Sequence, residues 1–384
     1  MKGQGIKNFF DKQRPKFEKG GKLHALQSFF EGMETFLYVS DATTKKGSHV
    51  RDSIDLKRTM IFVVIALVPT LLFGMYNIGY QHFHAVGSFA EQSFLQVFIY
   101  GALRVLPALV VSYVVGLGIE FAFAQIKGHE INEGYLVSGI LIPLVLPINT
   151  PLWMTALAVV FSVIIAKEAF GGTGMNIWNP ALIARAFLFF AYPSHMSGDN
   201  VWVRIGAEKA VDGFSGATPL GMALNGVFTY NVSDAFWGFI PGSIGETSTF
   251  AILLGAAFLI ITGIGSWKIM AATALGALVT GFLFNIFATN AFMEIPFWHH
   301  LVLGGFAFGA VFMATDPVSA AQTNRGKWIY GFLIGVVALV IRVLNPAYPE
   351  GMMLAILLMN TFAPLIDYYV VEGNIRKRLK RATV

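Results

Sequence analysis

The sequence predicts an all-α polytopic membrane protein with about ten transmembrane helices in two inverted five-helix repeats, both termini cytoplasmic. Composition is the first reason. Of 384 residues, 55% are hydrophobic and only 13% charged, where soluble domains carry roughly 25% charge. The second is spacing: apolar blocks of about 15–25 residues recur along nearly the whole chain, the length a helix needs to cross a bilayer. The third is charge placement. Twelve Lys and Arg fall within Met1–Arg58 and five within Arg376–Arg381, the cation excess of cytoplasmic flanks. The net charge of +5 therefore reports orientation in a membrane and not nucleic-acid binding. Cysteine is absent, which excludes disulfides and any iron–sulfur or zinc site held by thiolates of this chain.

Residues 1–57 form a basic N-terminal region with one amphipathic stretch, Leu26–Val39, suited to lie on the cytoplasmic surface. The first apolar run begins near Thr59, too late for a signal peptide. Residues 58–192 hold the first five spans, expected near Arg58–Asn77, Val105–Ala124, Glu133–Leu146, Leu152–Ala166 and Pro180–Tyr192. The second is started at Val105 because Arg104 and Pro107 interrupt the run. The third and fifth are short, broken by glycine and proline or carrying Arg185. Residues 193–247 form a long polar loop. Residues 248–370 hold the second five, near Ser248–Gly263, Lys268–Phe287, His300–Ala314, Trp328–Leu344 and Gly351–Val370. A basic tail, 371–384, follows.

Ten spans return the chain to its starting side, so the loops alternate. Ile78–Ser93 and Ala288–His299 lack Lys and Arg and fall outside; Lys127, Lys167, Lys268, Arg325 and Lys327 fall inside. The polar loop is then periplasmic. Asn179-Pro180-Ala181 recurs as Asn345-Pro346-Ala347, and the Gly139/Pro147 spacing recurs as Gly309/Pro317. An odd number of spans per repeat requires the repeats to be inverted, an arrangement that places sites at broken helices.

Within the loop lies Asp212-Gly213-Phe214-Ser215-Gly216-Ala217-Thr218. The small residues Ser215, Gly216 and Ala217 leave the Thr218 hydroxyl open to close approach, although an ordinary Ser/Gly turn reads the same way. This segment resembles the motif on which flavin transferases link FMN to threonine through a phosphoester, with Asp212 placed to assist. Further segments extend the likeness: Ser48–Ser53 with Asp55–Arg58, HEINEG (129–134), AKEAFGGTG (166–174), ARAFLFFAYP (184–193), IPGSIGE (240–246), MATDPVSA (313–320) and NPAYPEGMMLAIL (345–357). Together they resemble the B subunit of sodium-translocating NADH:quinone reductases. The related D subunit of Rnf ferredoxin:NAD oxidoreductases is more distant, because it lacks the basic N-terminal region. The resemblance implies covalent FMN on Thr218, a non-covalent riboflavin in the bundle and a ubiquinone site near the cytoplasmic side. It also implies five partner subunits in a bacterial inner membrane, sodium export, and no nucleic acid. Electrons would come from NADH through partner centres. A small-solute channel is the alternative that the inverted repeat alone permits.

Polar groups inside apolar spans are costly and default to functional candidates. Glu133, Gly134 and Tyr135 open the third span and are assigned to the quinone pocket, though Glu133 also suits a helix N-terminus by its charge. Asp316 and Asp367 are candidates for the sodium pathway, with capping as the bland reading; Glu246 is a weaker outer candidate. Arg185 is suited either to a flavin carbonyl or phosphate, or to pairing with an acid. Gly171–Gly174 lacks the strand and the Lys-Ser/Thr of a phosphate loop. His299 and His300 read as structural.

Overall fold

The computed structural model describes residues 4–17, 56–127, 134–205, 210–212, 214–224, 226–228, 230–345 and 348–382, with scattered positions between 21 and 50. Glu133, Gly213, Pro346, Ala347 and most of Leu26–Val39 lie outside the described residues. Apolar runs become helices as expected. After an N-terminal helix α1 (Gln4–Gln13), the chain forms α2 (Leu56–Val86) and α3 (Phe94–Lys127). It continues through α4 (Tyr135–Leu144), α5 (Leu152–Phe161) and α6 (Pro180–Ala191). The polar loop contributes the short α7 (Pro219–Leu224) and α8 (Val232–Trp237). Then follow α9 (Thr249–Ile261), α10 (Trp267–Ile286), α11 (Phe306–Phe308), α12 (Asn324–Leu344) and α13 (Met352–Ala382).

Among the described residues six helices are long and apolar enough to cross a membrane, α5 being counted with its continuation to Phe170, and α4, α6 and α9 are shorter apolar helices. The long helices expose apolar side chains, among them Leu103, Val110, Val114, Phe282 and Leu283. Helices α4 and α6 bury more of theirs, and Leu144, Leu182 and, on α11, Phe308 are fully enclosed in one core, whereas α9 exposes Leu253, Leu254 and Ile261. That is a polytopic helical membrane protein with lipid-facing outer helices and broken helices at its centre.

The boundaries differ from expectation in four places. The first span does not end at Asn77; α2 runs on to Val86. The second span does not begin at Val105; α3 runs unbroken for 34 residues from Phe94, about 51 Å of helix. Arg104 does not stop it, its guanidinium lying over the Tyr100 ring, 5.3 Å from the centroid. The eighth span is not continuous from His300. Gly304 takes a positive φ of 64°, and the helix is confined to Phe306–Phe308 and a π-helical turn, Gly309–Met313. At the expected tenth span, α13 does not end at Val370 but carries the basic tail onward to Ala382.

Glycine decides how closely the helices approach. Tyr135 on α4 donates from its hydroxyl to the Ser112 carbonyl on α3 at 2.9 Å, and Tyr113 on α3 donates to the Leu136 carbonyl on α4 at 2.7 Å. Each ring rests on a glycine of the opposite helix: a Cβ on Gly116 would lie 1.9 Å from Tyr135, and one on Gly139 2.6 Å from Tyr113. On α10 and α12, Gly276 and Gly335 play the same part against backbone carbonyls, the small-residue contact of membrane helices.

Candidate functional site

Thr218 is the residue before α7. Its Oγ1 accepts the Gly221 N–H at 3.1 Å, and its carbonyl accepts the Met222 N–H at 2.9 Å. This is an N-cap followed by proline at the first helical position, where the missing N–H costs nothing. Pro219 therefore belongs to the motif's geometry. Ser215 Oγ accepts from Ala217 N–H at 3.3 Å. Gly216 passes so close to Asp199 that a Cβ would meet its carbonyl oxygen at 2.4 Å. Asp212 is exposed one residue after Val211, whose N–H donates to the Ala85 carbonyl at the end of α2 (2.8 Å).

Thr218 is half-buried between two clefts. The larger, about 840 Å³ including its open mouth, is lined by Arg185, Trp202, Thr218, Tyr348 and Glu350 among others. The smaller is lined by Thr218, Ser243, Glu246 and Glu350 among others. Beneath both lies a buried charge network. Arg185 donates to Glu246 at 2.7 Å and pairs with Glu350. Arg342, with no exposed surface, donates to the carbonyls of His300 (2.8 Å) and Glu350 (3.1 Å). Two arginines and two glutamates thus balance one another where four stretches of chain meet. Arg185 takes the acid-pairing alternative and still faces the Thr218 cleft. His299, outside α11, is held by Tyr230 at 2.9 Å, and burial lowers its pKa.

A second cavity lies at the opposite end of the molecule, about 810 Å³ including its mouth. Its lining includes Gly134, Lys167, Asn176, Asn179, Phe312 and Asp316. The fifth helix of the chain's first half begins here. Asn179 accepts from the N–H groups of Ala181 (2.9 Å) and Leu182 (3.4 Å), capping α6. A π-helical turn, Ser162–Lys167, extends α5, and Lys167 at its end forms a buried ion pair with Glu120 of α3. Pro180 lines this cavity and Arg185 the Thr218 cleft. Five residues of one helix, about 7.5 Å of rise, separate those two wall positions. Along α6 the walls of the two cavities thus come within about a turn and a half of each other.

The sequence model of the NQR2, RnfD, RnfE family matches residues 43–376. The chain belongs to that family. Among curated NQR2/RnfD/RnfE-type relatives, it is 49% identical to the B subunit of the Na(+)-translocating NADH-quinone reductase of Ectopseudomonas mendocina, with 98% of this chain and 99% of that one covered. It is 48% identical to the corresponding B subunit of Chromohalobacter salexigens, covering 98% and 97%, and 48% to that of Azotobacter vinelandii, covering 98% and 99%.

In this NQR2/RnfD/RnfE family member the structure brings Gly134 and Asp316 to one cavity. Tyr135 faces away from it, buried against Gly116. Asp316 accepts from Val318 N–H (3.1 Å) and Ser319 Oγ (2.7 Å). Asp367 lies apart from the cavity and accepts from Gln322 N–H, Thr323 N–H and Thr323 Oγ1 at 2.6–3.0 Å, fixing the start of α12. Sequence reasoning passed over Glu350 and Glu120. Glu120 had a signal, since it is the one charge in the apolar run 105–126. Glu350 had none, because its partner Arg185 is 165 positions away.

Proposed function

We propose that the chain is the membrane-embedded B subunit of a six-subunit sodium-translocating NADH:ubiquinone reductase in a bacterial inner membrane, with covalent FMN on Thr218. The observation that carries the assignment is near-full-length similarity to proteins so named. An Rnf-type role is less well supported, because the relatives quoted carry the reductase name and match from end to end.

The residues around Thr218 suit the attachment. Oγ1 accepts a hydrogen bond from Gly221, and no hydrogen bond donated by that hydroxyl occurs among the described residues. An ester oxygen has no proton but still accepts, so the cap survives phosphoester formation. Ser215, Gly216 and Ala217 keep bulk away, and Asp212 stands exposed for the flavin transferase. Arg185 lines the cleft together with Glu350, its charge matched by Glu246 and Glu350.

Extractable riboflavin is assigned to the inner cavity, whose Asn176, Thr173 and Thr315 offer polar atoms to a ring while Val63, Leu141 and Phe312 offer apolar walls. Ubiquinone is assigned to the mouth at Gly134, with Glu133 adjoining in sequence. Bound flavins would supply the electron-carrying chemistry between NADH-side centres and quinone. This chain's part is to hold them at two sites whose walls α6 shares, Pro180 at one and Arg185 at the other. Asp316, at the inner cavity, is the nearer sodium-pathway candidate; Asp367 is the second. Ten spans in two inverted repeats, with cytoplasmic termini, complete the reading.

The test is in-gel flavin fluorescence of the denatured chain. Thr218→Ala abolishes the label in an assembled complex, and a label that persists overturns the attachment. Sodium-stimulated quinone reduction by the wild-type complex checks the enzyme assignment separately.

A further inference from the structure

A third cavity, about 1230 Å³ including its mouth, opens beside the outer half of α3. Much of its wall is apolar, formed by Leu103, Pro107, Pro143, Leu146, Leu152 and Ile244. Two arginines, Arg104 and Arg204, also line it, and no acid among the described residues does. Both side chains are exposed. Neither forms an ion pair or a hydrogen bond among the described residues.

The two cations are held in place from behind. The Tyr100 ring is stacked on His82 at 4.1 Å and also carries the Arg104 guanidinium. His82 Nδ1 lies 2.7 Å from the Arg204 carbonyl. Asn149 donates from Nδ2 to the carbonyl of Val203 at 3.1 Å. One aromatic pair and one amide thus bring a helix residue and a loop residue to the same cavity. The Thr150 hydroxyl, also in the lining, is shut from solvent and has no hydrogen-bond partner among the described residues.

Arginine stays charged under all ordinary conditions. Leu103 and Leu106, next to Arg104 on α3, are exposed apolar residues, so the cavity opens toward lipid. A charge beside lipid with no anion to meet it is costly. A cavity with a cationic end and an apolar wall matches an amphiphile with an anionic head. A phosphate diester accepts planar N–H pairs from guanidinium, and an acyl chain fits the proline- and leucine-lined wall.

We propose that this cavity binds one anionic phospholipid, its phosphate held between Arg104 and Arg204. The site is separate from the Thr218 clefts and from the inner cavity, and the inference needs only the membrane placement of α3.

The test is native mass spectrometry of the intact complex, delipidated and then supplied with phosphatidylglycerol or phosphatidylcholine. The wild-type complex retains one more phosphatidylglycerol than the Arg104→Gln/Arg204→Gln complex, and phosphatidylcholine does not fill that place. Each single Arg→Gln change lowers retention roughly tenfold, the factor for losing one charge-assisted hydrogen-bonded contact; the singles serve if the double variant does not assemble. Equal phosphatidylglycerol counts in wild-type and variants overturn the proposal. Full displacement by inorganic phosphate overturns it in favour of a free-anion site. Loss of a neighbouring protein from the variant complex overturns it in favour of a protein contact.

Discussion

Thr218 serves two purposes that can be separated by experiment. As an N-cap it accepts one hydrogen bond, and replacing a capping threonine by alanine costs about 1 kcal/mol. As the proposed ester acceptor it is indispensable. Thr218→Ala is therefore expected to lower the thermal midpoint of the complex only slightly while removing all covalent flavin fluorescence; a large loss of assembly would point to a structural role instead. The buried pair Glu120–Lys167 gives the opposite kind of prediction. Removing one member of a buried ion pair costs about 3–5 kcal/mol, whereas replacing both by apolar residues is often neutral. Glu120→Leu should destabilise the complex strongly, and Glu120→Leu with Lys167→Met should recover most of the loss in thermal denaturation. A double variant no more stable than the single would show that the charges are needed for more than each other. At this scale the sequence was legible where chemistry is local. The Thr218 segment and Gly134 are read from neighbours in the chain. Arg185–Glu350 and Tyr135–Gly116 depend on residues far away in sequence, and no local pattern signals them.

Short elements carry the sites, and the reason is geometric. The helices α4, α6 and α11 are too short to span alone, so their ends lie inside the molecule, where caps and charged residues line the cavities. The composition of α4 and α6 announced this through glycine, proline and Arg185. The break before α11 was less visible, because Gly304 and Gly305 sit in an apolar run that reads as a helix until the backbone is seen to turn. The α3–α4 contact supplies a test. Each tyrosine ring occupies the space that a Cβ on the facing glycine would need, and overpacking a close contact typically costs about 1–3 kcal/mol. Gly116→Ala should lower the thermal midpoint of the complex, and Gly116→Ala combined with Tyr135→Phe should remain destabilised, because the ring and not the hydroxyl is displaced. Recovery in the double variant would contradict a contact made by the ring. Gly134 adjoins Tyr135, so this change is also expected to raise the KM for quinone more than it alters covalent flavin content.

At the largest scale, the molecule has two chemically distinct ends joined by α6. The polar loop with Thr218 gathers at one end, and the inner cavity with Lys167 and Asp316 opens at the other. Charge bias along the sequence assigns the first end to the periplasm and the second to the cytoplasm, an orientation that the arrangement of helices alone leaves free. The absence of cysteine makes it directly measurable, because any single introduced thiol is the only one on this chain. Ser215 is exposed in the loop and Lys377 is exposed on the helical tail. In intact spheroplasts a membrane-impermeant maleimide should modify Ser215→Cys and leave Lys377→Cys unmodified. In inverted vesicles the reactivities should exchange. Labelling of both positions from the same side would require an even number of crossings between them. It would overturn the five-plus-five arrangement, since Ser215 follows five expected spans and Lys377 follows ten. The reverse pattern would keep the spans and invert the protein. Thr218 would then face the cytoplasm, and the flavin linkage would have to form there.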